Sequence, residues 1–129
     1  MINNKTILIK KENDDEKEIV LGPVKFADSY LSRLKGLMFE KRLDYILIIK
    51  TAKKNTKFYS SIHTFFMYIN IDVIFLNENK EVTETTCISP WKIYKPRHRA
   101  TYIIELKKGS IEKNRIKIGD KLDFVCEFN

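Results

Sequence analysis

The chain has 129 residues, of which 43% are hydrophobic and 12% aromatic, and it carries a formal net charge of +7. This length and apolar content exclude a disordered chain and predict a single domain, residues 1–129, with one core. No apolar run approaches the roughly 18 residues that a membrane-spanning helix needs, and residues 1–11 lack the long apolar centre of a secretory signal. We therefore expect a cytoplasmic protein with no membrane partner.

The first third of the chain predicts a hairpin and a short helix. Lys5–Lys10 and Glu18–Leu21 are two short strands separated by a polar stretch, and Gly22-Pro23 is expected to end the second strand. Asp28-Ser29 can cap a helix of about two turns that ends at Gly36.

The middle of the chain predicts apolar strands. Tyr45–Ile49 is apolar on both faces and rich in β-branched residues, whereas the polar and basic Thr51–Lys57 is expected to be an exposed loop that takes no part in the core. Ser61–Tyr68 is interpreted as a strand with His63 and Met67 on the same face, by the two-residue period.

The last half predicts further strands, with a central meander as the expected arrangement. A helical turn can begin at Ser110 or Asn114. The predicted strands are Asp72–Leu76, Glu81–Ile88, Thr101–Lys107 and Lys121–Phe128. Together the elements predict a mainly β (α+β) fold, a compact antiparallel β-barrel-like or sandwich domain with one or two short helices.

Two cysteines, Cys87 and Cys126, are too few for a disulfide framework and match no metal-ligand spacing. We interpret both as buried free thiols, because free cysteine is usually buried. The sequence predicts neither a metal nor a cofactor, since the four glycines are too scattered for a phosphate-binding loop and no nucleophile motif is present.

Two acidic residues are candidates for chemistry. Asp72 enters an apolar strand, where it can act as a general base with His63 or can accept backbone N–H bonds in the turn Ile69–Ile71. Glu105 is expected to be half buried and can pair with Arg33. If Asp72 and Glu105 faced one cleft, they would form the two-carboxylate layout of glycoside hydrolysis.

His63, Met67 and Cys87 together offer soft ligands for copper(I) or zinc, but their spacing matches no established metal motif. The alternative for His63 is a core or rim residue that donates a ring N–H to a backbone carbonyl.

The loop from Trp91 to Arg99 combines aromatic and cationic side chains, among them Arg97 and Arg99. Such a mixture can stack on a base or sugar and hold a phosphate or carboxylate. The alternative is a surface loop whose cations are simply solvated.

Six short segments follow one another in the order that is typical of one family: Arg33–Met38, His63–Met67, Ile71–Leu76, Pro90-Trp91, Ala100–Leu106 with Gly109, and Ile118–Asp120. With these segments the chain resembles the family called domain of unknown function 192, or uncharacterised protein family 0127. The resemblance covers about Ala27–Leu122 and implies a small mainly β domain, but no activity, because the family has none established. The three residues Tyr68-Ile-Asn70 depart from the family pattern of a cation, a polar or aromatic residue and proline.

The function that these observations favour is non-enzymatic binding of a small anionic or sugar-like ligand. The alternatives are a small hydrolase or lyase that uses Asp72 or His63 as general base, and nucleic-acid binding through the basic surface. The candidate catalytic residues are His63, Asp72 and Glu105. The candidate ligand-binding residues are Arg33, His63, Met67, Asp72, Trp91, Arg97, Arg99 and Glu105.

Overall fold

The computed structural model describes residues 4–11, 18–27, 41–51 and 61–128. The predicted helix at Asp28–Gly36 and most of the predicted loop Thr51–Lys57 lie outside these residues. The described elements, in chain order, are β1 (Asn4–Lys11), β2 (Glu18–Ala27), β3 (Ile46–Lys50), β4 (Ile62–His63), β5 (Ile71–Leu76), β6 (Val82–Ile88), β7 (Ile93–Tyr94), β8 (Tyr102–Lys107), α1 (Ser110–Lys113) and β9 (Lys121–Phe128).

Seven of these strands form one sheet, in the order β6-β5-β8-β3-β2-β1-β9, and β4 pairs separately with β7. The neighbours in the large sheet are antiparallel except for β2 and β3, which are parallel. Its two edges approach each other at an antiparallel bridge between Glu81 and Lys121. The sheet therefore curls into a half-barrel, which confirms the predicted mainly β, barrel-like fold. No helix of the described residues is long and apolar enough to cross a membrane.

The prediction that Gly22-Pro23 ends the second strand is wrong, because β2 continues to Ala27. Gly22 has a φ of 150° and pairs with Leu8, where the register between β1 and β2 shifts. Glycine tolerates the unusual backbone at such an irregularity. Beyond it the strand changes partner, since residues 24–27 pair in parallel with residues 46–49 of β3.

The interpretation of Ser61–Tyr68 as one strand is also wrong. Only Ile62–His63 is extended, and it pairs with β7 outside the large sheet. As a result β5 lies between β6 and β8, so the predicted meander is reduced to the hairpin of β5 and β6. Thr51, which was expected in an exposed loop, is buried, and its hydroxyl donates to the Ala100 carbonyl at 2.8 Å.

Two cores lie on the two faces of the large sheet. The inner core joins strands from both ends of the sheet, because the curl brings their side chains together. The outer core lies on the opposite face, beneath residues 61–69 and β7. The inner core consists of Leu8, Ile46, Ile48, Ile74, Leu76, Val82, Ile104, Leu106, Ile116 and Leu122. The outer core consists of Leu43, Leu47, Ile49, Ile62, Met67, Ile71, Val73, Phe75, Ile88, Ala100 and Ile103.

A buried cation ties β1 to the segment before β9. The ammonium of Lys10 lies 3.5 Å from Asp120 Oδ2, and it donates to the carbonyls of Arg115 at 3.0 Å and Asn114 at 3.4 Å. The two charged side chains are only 6% and 7% exposed. A buried charge in water-poor surroundings is tolerated only with such partners.

We expect Lys10→Ala to lower the free energy of unfolding by about 3 to 5 kcal/mol, because it leaves Asp120 and the carbonyls buried without their donor. The matched control is Lys11→Ala, which removes the same charge from a side chain that is 45% exposed and 3.6 Å from Asp123. The control substitution should lower the free energy of unfolding by no more than about 1 kcal/mol. Denaturant unfolding measures both values, and equal losses would contradict the assignment.

Candidate functional site

Two turns, one after β4 and one after β6, meet at the fully buried Thr64. Its hydroxyl donates to the Ser89 carbonyl at 2.6 Å and accepts the Lys92 N–H at 2.9 Å. Its backbone N–H donates to the Lys92 carbonyl at 2.8 Å. Its carbonyl accepts the N–H groups of Trp91 and Met67 at 2.9 and 3.2 Å. Thr64 therefore holds the two turns together with both its side chain and its backbone.

Each of these turns contains an aromatic residue with left-handed backbone. Phe66 has a φ of 64° and Trp91 a φ of 62°. A bulky residue is uncommon in this region and costs about 1–2 kcal/mol, because its Cβ crowds the following carbonyl. Both side chains are nevertheless exposed, Phe66 by 42% and Trp91 by 56%. The hydrogen bonds of Thr64 stabilise this strained arrangement, which leaves two rings at the surface.

The exposed rings are in contact with one another. The ring centroids of Phe66 and Trp91 are 4.8 Å apart at an interplanar angle of 60°, and Phe65 lies 6.0 Å from Trp91. His63 stacks on Phe65 at 4.6 Å, and its Nδ1 accepts the Phe65 N–H at 3.3 Å. We refer to Phe65, Phe66 and Trp91 as the aromatic platform. A contiguous exposed aromatic surface of this kind is typical of a binding site, whereas single exposed apolar residues are ordinary.

The three candidate soft metal ligands do not converge. Met67 is buried in the outer core, because β4 ends at His63 and the strand alternation stops there. Cys87 pairs with Asp72 across β5 and β6, on the face of the inner core. Within the described ranges, no group of three or more His, Cys, Asp or Glu side chains is arranged to hold a metal ion.

The two candidate carboxylates lie on opposite faces of the sheet. Asp72 pairs with Leu106 of the inner core, whereas Glu105 pairs with Val73 of the outer core. Paired residues share a face and successive residues alternate, so the two carboxylates cannot face one cleft. The layout of glycoside hydrolysis is therefore not formed. Arg33, the proposed partner of the fully buried Glu105, lies outside the described residues.

Asp72 accepts backbone hydrogen bonds, but not from the predicted turn at Ile69–Ile71. Its Oδ2 accepts the N–H groups of Gly109 and Ile111, both at 3.0 Å. These donors belong to the start of α1, where the first N–H groups of a helix lack intrahelical partners. Asp72 therefore fixes α1 against the sheet, although Gly109 and Ile111 lie 37 and 39 residues further along the chain.

The prediction of a buried thiol is wrong for Cys87, which is exposed, because β6 is an edge strand. With Asp72, Lys108 and Arg115 it lines an open cavity of about 420 Å³, which we call the Cys87 cavity. Partial burial raises the pKa of the thiol, and the hydrogen bond and charge of Asp72 raise it further, while Lys108 acts in the opposite direction. The side chain of Cys126 lies outside the described part.

The basic loop contributes to a second cavity, of about 470 Å³, which we call the Tyr94 cavity. The Tyr94 hydroxyl donates to Glu84 Oε2, and the backbone N–H of Arg97 donates to Glu84 Oε1 at 2.8 Å. Burial raises the pKa of Tyr94 most, and the hydrogen bond and the charge of Glu84 raise it further. The Tyr94 ring stacks on Phe75 at 5.7 Å, while Arg97 and His98 line the opening. Both oxygens of Glu84 are thus already bonded.

Of the sequence-predicted site residues, the structure brings together His63 and Trp91. Arg97 lines the Tyr94 cavity, and Arg99 is exposed elsewhere on the basic loop. Sequence reasoning missed Thr64 and Phe66. The one signal that pointed to Thr64 is a polar residue within an otherwise apolar segment, but no local pattern indicates that Phe66 is left-handed.

Comparison with known proteins places the chain in a single family. The family model DUF192, described as an uncharacterized ACR, matches residues 9–124. A UPF0127 protein of Pyrococcus furiosus is 44% identical over 101 residues, which cover 78% of this chain and 85% of the relative. A UPF0127 protein of Thermococcus sibiricus is 37% identical over 115 residues, covering 89% and 74%.

Two solved structures share the fold. A candidate transcription regulator from Sinorhizobium meliloti 1021 matches with a TM-score of 0.74 at 16% identity, covering 95% of this chain and 94% of that protein. A protein of unknown function from Novosphingobium aromaticivorans matches with a TM-score of 0.72 at 18% identity, covering 91% and 83%. At these identities the likeness concerns the fold alone.

We expect Thr64→Val to lower the free energy of unfolding by about 1–3 kcal/mol, because it removes the hydroxyl of a fully buried residue that serves two partly buried hydrogen bonds. It should also change the fluorescence of Trp91, whose turn depends on Thr64. Thr64→Ser should retain both hydrogen bonds and the native spectrum. Thr83→Val, at a partly exposed hydroxyl bonded to the Phe75 carbonyl at 3.2 Å, is the surface control. A Trp91 spectrum unchanged in Thr64→Val would contradict the role assigned to Thr64.

We expect Asp72→Asn to increase the alkylation rate of Cys87 at pH 8. The amide oxygen can still accept from Gly109 and Ile111, but the negative charge that raises the thiol pKa is gone, so more thiolate forms at a given pH. The rate profile should move to lower pH in a Cys126→Ser background. Glu112→Gln, a carboxylate that lines the same cavity, should leave the profile unchanged. A shift of equal size in both variants would point to general charge rather than to Asp72.

Proposed function

This chain belongs to the DUF192 family, and we propose that it is a small ligand-binding domain whose ligand stacks on the aromatic platform. One observation supports this most directly: two exposed aromatic rings in contact, each on a residue with left-handed backbone. Strained residues that the surrounding structure fixes in place occur preferentially at binding and active sites.

The platform is pre-organised for binding. Thr64 fixes the backbone of both turns, so Phe66 and Trp91 lose little conformational freedom when a ligand arrives. Pre-organisation strengthens binding because the cost of ordering the site has already been met in folding. The neighbouring Ile93 and Tyr68 are also exposed, which extends the apolar surface around the rings.

The ligand class follows from the chemistry of this surface. Aromatic faces bind flat or apolar ring faces, such as those of sugars and bases. Lys92 is exposed and directly follows Trp91, and the chain as a whole carries a net charge of +7. A sugar-like ring that bears a carboxylate or phosphate satisfies both features.

The cytoplasmic location stays a prediction of the sequence.

Binding is favoured over general-base catalysis by the position of Asp72. The strand β5 directs this carboxylate to the inner core, while β4, which carries His63, covers the outer core. The predicted pair of His63 and Asp72 is therefore separated by the sheet. In addition, Asp72 Oδ2 already accepts two backbone N–H groups.

The chain contains a single tryptophan, so its fluorescence reports directly on the platform. We expect emission to change on titration with sugar phosphates or uronic acids, and to change less with the matching neutral sugars. Short oligonucleotides complete the panel. A response to oligonucleotides alone would replace this proposal with nucleic-acid binding, and no response in any arm would refute it.

The variant Phe66→Asn should weaken the observed binding by at least about tenfold, because it removes one ring contact, worth about 1–3 kcal/mol for stacked bases. Asparagine tolerates left-handed backbone, so the turn is preserved. The matched control is Phe26→Asn, which removes a phenylalanine that is 53% exposed and whose ring contacts Phe124 instead. Equal effects of the two substitutions would show that the platform is not the site.

A further inference from the structure

The strand β6 forms one edge of the large sheet, and most of its outer side has no described backbone partner. The chain itself begins to pair there. The Gly119 N–H donates to the Val82 carbonyl and the Val82 N–H to the Asp120 carbonyl, both at 2.8 Å. From Thr83 to Cys87, no described backbone group forms a hydrogen bond on the outer side. An edge with open N–H and C=O groups is a template for another strand.

This edge has only one of the usual protections against pairing, a bulge at its first residue. Natural edge strands carry lysine, proline or a bulge to discourage it. Residues 83–87 contain three threonines, and neither lysine nor proline. One irregularity is present: Thr83 is an extra residue between Val82 and Glu84, which pair with the consecutive Leu76 and Phe75, and the pairing is regular from Glu84 to Cys87. Threonine is β-branched and favours extended backbone.

The two cavities lie on the two sides of this edge. Glu84 pairs with Phe75 of the outer core and contributes to the Tyr94 cavity. Cys87 pairs with Asp72 on the face of the inner core and lines the Cys87 cavity, whereas Thr85 lines both cavities. Successive side chains of a strand point to opposite faces. A strand added beside β6 would therefore direct its side chains alternately toward the two cavities.

The exposed charges around the cavities are mainly positive. Lys108 and Arg115 line the Cys87 cavity with the carboxylate of Glu112, and Arg97 and His98 line the Tyr94 cavity. The remaining carboxylates keep their negative charge but are less accessible: Asp72 is buried and Glu84 half-buried, and both accept N–H or O–H groups of the chain. No ion pair of the described residues involves the side chains of Lys108, Arg115 or Arg97.

We propose that the edge of β6 binds an extended segment of an acidic polypeptide as an additional β-strand. Main-chain hydrogen bonds to residues 83–87 supply affinity, and acidic side chains that enter the two cavities supply specificity. A second copy of this chain fits less well, because it brings a net charge of +7 and the same cations to the interface. The site is separate from the aromatic platform, so each proposal can fail alone.

The test uses the full chain and a fluorescein-labelled peptide of alternating glutamate and valine, measured by fluorescence polarisation. We expect binding that weakens with salt, and chemical-shift changes at the amides of residues 83–87. The double variant Lys108→Glu/Arg115→Glu should weaken binding by about tenfold or more. The control Lys113→Glu reverses an exposed charge of α1 that lines neither cavity.

Three outcomes would overturn the proposal. The first is that a peptide N-methylated at alternate residues binds as tightly as the unmethylated glutamate–valine peptide, since a methylated peptide cannot complete the strand pairing. The second is that a peptide of alternating lysine and valine binds as tightly as the glutamate–valine peptide, which would show that negative charge is not recognised. The third is self-association in sedimentation velocity that the double variant abolishes, which would identify a second copy as the occupant.

Discussion

The strand β5 has all six side chains buried, and its alternation determines on which face of the sheet Asp72 and the residues paired with β5, such as Glu105 and Glu84, lie. Because both of its faces are covered, a shift by one residue would exchange the side chains of two cores at once, so its register is strongly fixed. Asp72 is consequently directed to the inner core and toward α1, while Val73 and Phe75 support the outer core. The separation of the two candidate carboxylates and the position of both cavities beside β6 follow from this one strand.

Buried polar groups connect the elements that the sheet does not. Lys10 joins β1 to the segment before β9, Asp72 holds the start of α1, and Thr64 joins the two turns that carry the platform. Among the described residues, no fully buried side-chain nitrogen or oxygen lacks a hydrogen-bond partner. Fully satisfied polar contacts of this kind make a fold specific, because any alternative packing would leave some of these groups unpaired.

The platform and the open edge of β6 differ in what holds them. The platform is strained backbone that Thr64 stabilises locally, so it is a rigid surface suited to a small ring-shaped ligand. On the outer side of β6, the described part of the chain supplies a backbone partner only at Val82, and the backbone is regular from Glu84 onward. This edge therefore suits an extended chain that supplies the remaining hydrogen bonds. One small domain thus presents two surfaces with different recognition chemistry.

The sequence by itself determined most of the strands, because runs such as Ile46–Ile49 and residues 71–76 are apolar and β-branched whatever surrounds them. It also indicated Trp91 and His63, because both lie in short segments that resemble the family. The order of such segments is visible in the sequence without any knowledge of contacts in the fold. Only the tertiary structure decided that residues 64–67 form a turn, that β2 continues past Gly22, and that Asp72 receives its donors from α1. Those features depend on hydrogen bonds between residues far apart in the chain, and local periodicity carries no information about such partners.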